Sequence, residues 1–160
     1  MITLAQYFGS KEHPVEHEVN ATRMLSTVNE LLRKAFDCGV YADWIDPDTG
    51  CQISGAKGGS GDGGYRLSSS KTGMPGSNHK TAHAVDVYDP NRQLAQWCLD
   101  NKQALHEAGL YCEDYRWTPV WVHFQDVPPK SGKIVYIPSA SPPLAVALAG
   151  QGDVPVRLVT

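Results

Sequence analysis

The sequence lacks a long apolar run and a large excess of either charge. No stretch approaches the roughly 20 apolar residues that a membrane-spanning helix needs. The first residues do not form a basic start followed by an apolar segment, which predicts cytoplasmic synthesis without a signal peptide. The net charge is −3 and the 14 Lys and Arg residues are scattered. A surface for nucleic acid is therefore disfavoured.

The sequence also lacks any CxxC pair among its four cysteines, so a structural zinc knuckle is not supported. Free and mostly buried thiols are the favoured expectation. The alternative is a bridge between Cys38 and Cys51, which would need an oxidising compartment.

The 160 residues, 41% of them hydrophobic, fit one globular domain. We place this domain at residues 1–138, followed by a Pro-led tail at 139–160 that no motif explains. A mildly apolar terminal segment often packs on a neighbouring subunit. The tail therefore suggests contacts with a neighbouring subunit in a homo-oligomer.

Two segments show helical spacing of apolar residues. Residues 20–36 predict an amphipathic helix capped by Asn20, with Met24, Val28, Leu31, Leu32 and Phe36 on its apolar face. Residues 91–109 predict a second helix that ends at Gly109.

Strand-like patterns occur in five places. One is "TAHAVDVY", where Ala82, Ala84 and Asp86 share one face and His83, Val85 and Val87 share the other. In residues 119–125, Val120, Val122 and Phe124 alternate with more polar positions, which predicts a strand with one face toward the core. Shorter patterns lie at "CQIS", "GYRLS" and "KIVYIP". The order of elements predicts an α+β domain with helices packed on one face of a small antiparallel sheet.

The stretch "GSNHKTAHAVDVYDP", residues 76–90, holds two histidines and an aspartate. His79 and Asp86 would lie about 10.5 Å apart on a helix and about 23 Å apart on a strand, so both reach one ion only if the chain folds back. Along a strand, His83 points away from Asp86. His83 is therefore expected to pack or form a hydrogen bond, with replacement of His79 as a ligand as the alternative. His123 could provide a third ligand.

"SNHKTAHAVD" resembles the S-x-H-x-x-G-x-A-x-D signature of the zinc D-Ala-D-Ala metallopeptidases, a family of carboxypeptidases, dipeptidases and phage endolysins with a fold similar to the hedgehog signalling domain. "GGYR" resembles the family's S-G-Y-R segment, and "WVHFQ" resembles its W-x-H segment. The segments occur in the family's order, and the similarity is greatest to short phage-encoded members.

The resemblance implies that His79, Asp86 and His123 bind zinc and leave one position open for catalysis. It also implies that Arg66 donates hydrogen bonds to an oxyanion or a substrate carboxylate, and that Ser77 bonds near the first ligand. Lys80 could stand beside Arg66 at the mouth of the site. Aromatic side chains could pack against a substrate peptide or simply in the core; the candidates are Tyr65, Trp117 and Trp121.

Two departures from the family pattern matter. Ala82 replaces the signature glycine, a change that is strained if φ there is positive. Val120 stands where many members carry the catalytic glutamate, so a general base must come from elsewhere. Glu113 is the first candidate and Asp114 the second, although both could merely solvate a turn. Asp126 is a weaker third.

The resemblance implies a zinc peptidase that cuts an amide bond in bacterial peptidoglycan stem peptides, as a carboxypeptidase or endopeptidase. The phage-like features suggest action within the host cell or as a virion component. The alternative is a weak or inactive structural or attachment component of a phage particle. A hedgehog-like binding module is a third possibility, and another divalent ion could replace zinc.

Overall fold

The computed structural model describes residues 1–55 and 62–138. It is an α+β domain with four helices and a four-stranded mixed sheet within those residues. The helices are α1 (Leu4–Phe8), α2 (Val15–Asp37), α3 (Gln93–Asp100) and α4 (Lys102–Ala108). The strands are β1 (Ala84–Tyr88), β2 (Tyr111–Glu113), β3 (Trp121–Gln125) and β4 (Val135–Tyr136). The predicted tail at 139–160 lies outside the described residues.

The sheet has the strand order β1-β3-β2-β4. β3 pairs antiparallel with β1 and β2, whereas β2 and β4 run parallel. The α+β class is therefore confirmed, and the expectation of a wholly antiparallel sheet is wrong at this edge. "CQIS" contributes only isolated bridges, among them Ile53 to Val87, and "GYRLS" forms no strand.

Alternation along the central strands separates a core face from a polar face. Val85 and Val87 of β1 and Val122 and Phe124 of β3 are fully buried in one apolar cluster with residues of α2, α3 and α4. The helices thus cover this face. The opposite face carries the polar side chains of the same strands.

Helix α2 begins five residues before the predicted cap. Pro14 is its N-cap, and Glu16 and Glu18 in the first turn favour this start because carboxylates stabilise the positive end of a helix. Asn20 lies inside the helix and donates a hydrogen bond to the carbonyl of Thr81 (3.1 Å). The predicted apolar face is buried except at Phe36, which is 53% exposed near the helix end.

The second predicted helix is divided into α3 and α4 at Asn101, whose backbone leaves helical geometry (φ −126°, ψ 45°). Gly109 ends α4 in the left-handed conformation, as predicted. Helix α1 was not predicted. Thr3 and Gln6 form its capping box.

All four cysteines are free thiols, of which three are buried and Cys38 is exposed. This confirms the favoured expectation, and the Cys38–Cys51 bridge is not formed. No helix in the described ranges combines the length and apolar character needed to cross a bilayer.

Candidate metal centre

His79, Asp86 and His123 converge from three separate parts of the chain. His79 lies on a short 3₁₀ helix (Asn78–Thr81) just before β1, Asp86 lies in the middle of β1, and His123 lies opposite Asp86 on β3. The chain folds back between His79 and Asp86, as the spacing required. All three side chains are buried and could together hold a metal ion.

The three facing atoms form a nearly regular triangle. His79 Nε2 lies 3.2 Å from His123 Nδ1 and 3.3 Å from Asp86 Oδ1, and His123 Nδ1 lies 2.9 Å from Asp86 Oδ1. Donors about 2.0–2.1 Å from a tetrahedral zinc ion stand about 3.3 Å apart. The triangle therefore fits a zinc ion with small adjustments.

Hydrogen bonds on the far sides of the two rings orient them toward the triangle. His79 Nδ1–H donates to the carbonyl of Gly64 (2.8 Å), which leaves Nε2 to face inward. His123 Nε2–H donates to Gln125 Oε1 (3.0 Å), which leaves Nδ1 to face inward. Metal-binding histidines commonly donate their second nitrogen to an oxygen in this way.

Gln125 has a fixed amide orientation. Its Nε2 donates to the carbonyl of Val127 (2.7 Å), so Oε1 must be the atom that faces His123. The same oxygen accepts the hydroxyl of Tyr136 (2.5 Å). Sequence reasoning missed Gln125 and Tyr136, although Gln125 shares the predicted polar face of β3 with His123.

The segment 62–66 holds β1 and the 3₁₀ helix together. The Asp86 amide donates to the carbonyl of Gly63 (2.7 Å), and the Arg66 amide donates to the carbonyl of His79 (3.1 Å). A Cβ at Gly63 would lie 2.1 Å from the carbonyl oxygen of Ser54, and one at Gly64 would lie 2.6 Å from that of Tyr7. Both positions of "GGYR" therefore require glycine.

Burial and charge act against each other on the titratable groups. Burial lowers the pKa of His79 and outweighs the attraction of Asp86. Burial would also lower the pKa of His123, but the charge of Glu113 and the hydrogen bond and charge of Asp86 raise it to about 9. Burial would raise the pKa of Asp86, yet the charge of His79 and the hydrogen bonds from both rings hold it well below its usual range.

Glu113 lies beside the triad. Cys112 pairs with Phe124 on the core side of the sheet, so alternation places Glu113 on the polar face, level with His123. Glu113 is half-buried, and burial raises its pKa despite the nearby positive charge of His123. Asp114 points elsewhere: it caps a short 3₁₀ helix and binds Arg116 through both oxygens (2.9 and 2.8 Å).

A pocket of about 710 Å³ opens onto the triad. Several residues predicted from sequence line it together with the triad, namely Arg66, Ser77, Glu113 and Trp121. Ser77 caps the 3₁₀ helix and accepts the His79 amide (3.4 Å). Arg66 places its Nη2 3.5 Å from Asp86 Oδ2.

Other predicted residues lie away from this pocket. Tyr65 is buried against Phe8 and Tyr7, and its hydroxyl bonds His17 (2.8 Å), so it packs in the core rather than against a ligand. Lys80 is buried and donates to the carbonyl of Ser70 (2.9 Å), which removes it from the mouth of the site.

His83 and Asp126 pair with each other. His83 Nδ1 lies 2.7 Å from the Asp126 carboxylate, outside the triad, as strand alternation predicted for His83. Asp126, the third candidate for the general base, is therefore already paired with His83. Ala82 has a left-handed backbone (φ 63°, ψ 33°), so the alanine in place of the signature glycine is strained.

No protein-family model, curated protein or solved structure matches this chain.

Proposed function

We propose that the protein is a zinc-dependent peptidase that cleaves an amide bond in bacterial peptidoglycan stem peptides, with the fold of the D-Ala-D-Ala metallopeptidases. The observation that carries this proposal is the buried triangle of His79, Asp86 and His123 at the base of an open pocket. Three protein ligands beside solvent-accessible space are typical of a catalytic zinc site rather than a structural one.

Zinc bound to the triad would supply a water of lowered pKa and would polarise the scissile carbonyl. The protein itself would contribute first by orienting the two histidine rings toward the ion. Because Gly64 and Gln125 accept the outer N–H groups, Nε2 of His79 and Nδ1 of His123 are the nitrogens that would bind the ion. His123 would give up its second proton on binding, because its raised pKa favours the protonated ring. Arg66 balances the buried charge of Asp86 and holds its second oxygen.

Glu113 is the residue suited to move the proton. It lines the pocket on the strand next to His123, and its raised pKa brings it closer to neutrality, where a general base is most effective. As the water oxygen attacks the carbonyl carbon, Glu113 would accept the water's proton. It would then pass the proton to the nitrogen as the C–N bond breaks.

The pocket lining includes polar and aromatic side chains. Ser77 and Trp121 both line it and remain candidates for contact with a substrate peptide. The oxyanion role predicted for Arg66 stays a prediction because its guanidinium already faces Asp86.

Release of soluble fragments from purified peptidoglycan tests the proposal. Wild-type protein loaded with zinc should release fragments, and chelation should abolish release. Glu113→Gln should retain zinc and lose about a hundredfold to ten-thousandfold in rate. Glu107→Gln, at an exposed acid on α4, is the matched control and should keep full activity.

Three outcomes contradict parts of this account. Release that survives chelation would exclude the zinc mechanism. Full activity of Glu113→Gln would remove Glu113 from the reaction. Stability lost on chelation without any turnover would favour a structural component over an enzyme.

A further inference from the structure

The two cationic residues that line the pocket differ in how many contacts they make within the protein. Arg66 and Lys130 are its two cationic lining residues other than histidine. Arg66 is buried, lies 3.5 Å from Asp86, and donates from Nε to the carbonyl of Asp62 (2.7 Å). Its guanidinium also lies against Gly73, where an added Cβ would come within 2.7 Å of Nη1. Arg66 therefore has little freedom to turn toward a ligand.

Lys130 differs from Arg66 on each of these points. It is exposed at the pocket rim, and among residues 1–55 and 62–138 it forms no salt bridge. An ammonium group that lines a pocket and has no carboxylate partner in the protein can bind a carboxylate of a ligand.

Hydrogen bonds order the backbone of the loop that carries Lys130. The Gly132 amide donates to the carbonyl of Pro129 (2.9 Å), which closes a tight turn with Lys130 at its second position. Pro128 and Pro129 stiffen the approach to this turn, and the Gln125 amide anchors Val127 before it. The loop that carries Lys130 is thus tied to the side chain that orients His123.

Exposed apolar side chains line the same pocket as Lys130. Met74 and Ile137 are 59% and 56% exposed, and both line the pocket with Trp121. A pocket lined by exposed apolar side chains and a cation without a salt bridge suits a ligand that carries a small apolar group and a negative charge. A peptide that ends in alanine has both features.

We propose that Lys130 binds a free carboxylate of the substrate, so that the pocket selects stem peptides with a carboxylate near the scissile bond over their neutral forms. This inference rests on the proposed function and deepens it. It assigns to Lys130 the recognition that the sequence suggested for Arg66 and Lys80.

The test compares binding of two probes to the zinc-loaded protein by calorimetry: diacetyl-L-lysyl-D-alanyl-D-alanine and its C-terminal carboxamide. We expect wild type to bind the carboxylate about three- to tenfold more tightly than the amide, the range for one partly exposed charged hydrogen bond. In Lys130→Met the ratio should fall to about one. Lys133→Met, at an exposed lysine of the same loop that is absent from the pocket lining, should keep the wild-type ratio.

Equal affinity of wild type for the two probes, or an unchanged preference in Lys130→Met, would overturn the inference, as would failure of the carboxylate probe to bind. Hydrolysis of the carboxylate probe, followed in parallel, tests the proposed function separately. A protein that binds with the expected preference but does not cut this probe would refute cleavage of the terminal D-alanyl-D-alanine bond and leave the role of Lys130 standing.

Discussion

Replacement of Gln125 should change the zinc affinity, because Gln125 contacts a histidine of the metal centre without being a ligand itself. Its Oε1 accepts His123 Nε2–H and the Tyr136 hydroxyl, and its Nε2 donates to the carbonyl of Val127. Gln125→Leu keeps a similar volume and removes all three hydrogen bonds. The His123 ring would then lose the partner that fixes its tautomer and direction.

We expect Gln125→Leu to weaken zinc binding by about ten- to a hundredfold, the range for loss of an outer partner of a metal-bound histidine. This corresponds to about 1.4 to 2.7 kcal/mol of binding free energy. Competition with a chromophoric chelator measures the affinity. Gln125→Glu retains an acceptor for His123 and should bind zinc within about threefold of wild type.

Gln52→Leu is the matched control. Gln52 is equally buried, accepts the N-terminal amine and donates to the carbonyl of Ala42 (3.0 Å), outside the pocket that holds the triad. Both leucine variants should lower the free energy of unfolding by about 1–3 kcal/mol because each leaves buried polar groups unpaired. Only Gln125→Leu should change zinc affinity. A folded Gln125→Leu protein that binds zinc as wild type does would refute the tautomer argument.

Three further predictions concern stability. Ala82→Gly should change the free energy of unfolding by less than about 1 kcal/mol, because relief of the left-handed strain offsets the lost buried methyl group. Ala82→Val should destabilise by about 2 kcal/mol or more, since a branched side chain fits neither the backbone nor the space; denaturant unfolding with equal losses for both would contradict this. Asp89→Ala should cost about 1–2 kcal/mol because the buried carboxylate accepts the first free amides of α3 (3.2 and 2.9 Å), and a thermal midpoint equal to wild type would exclude that role. The Lys11 carbonyl and Glu18 raise the pKa of His13, so the stability His13 contributes should be fully present below about pH 6.5 and lost as pH rises through its raised value. The melting-temperature difference between wild type and His13→Gln should therefore be larger at pH 5.5 than at pH 9, and a reversed trend would exclude the interaction.

The central part of the site could be predicted from sequence because it depends on local periodicity. Alternation in β1 and β3 correctly separated the faces that carry Asp86 and His123 from the apolar face, and it excluded His83. The fold-back between His79 and Asp86 followed from distance alone. These are short-range consequences of backbone geometry.

The features that sequence reasoning missed depend on contacts between distant segments. Tyr136 reaches Gln125 only because β4 lies beside β2 in the sheet, and no local pattern indicates that β4 runs parallel to β2. The choice of Glu113 rather than Asp114 as the general base likewise depends on the register of β2 against β3, which the sequence does not reveal. Helix α2 began early because Pro14 can precede a helix, whereas the prediction favoured Asn20 on side-chain type alone.

The zinc content of purified protein tests the central claim most directly. After incubation with one equivalent of zinc and desalting, elemental analysis should find about one zinc ion per wild-type chain and little in folded Asp86→Ala. Folded wild-type protein that retains no zinc, or Asp86→Ala that retains as much as wild type, would contradict a metal centre formed by His79, Asp86 and His123.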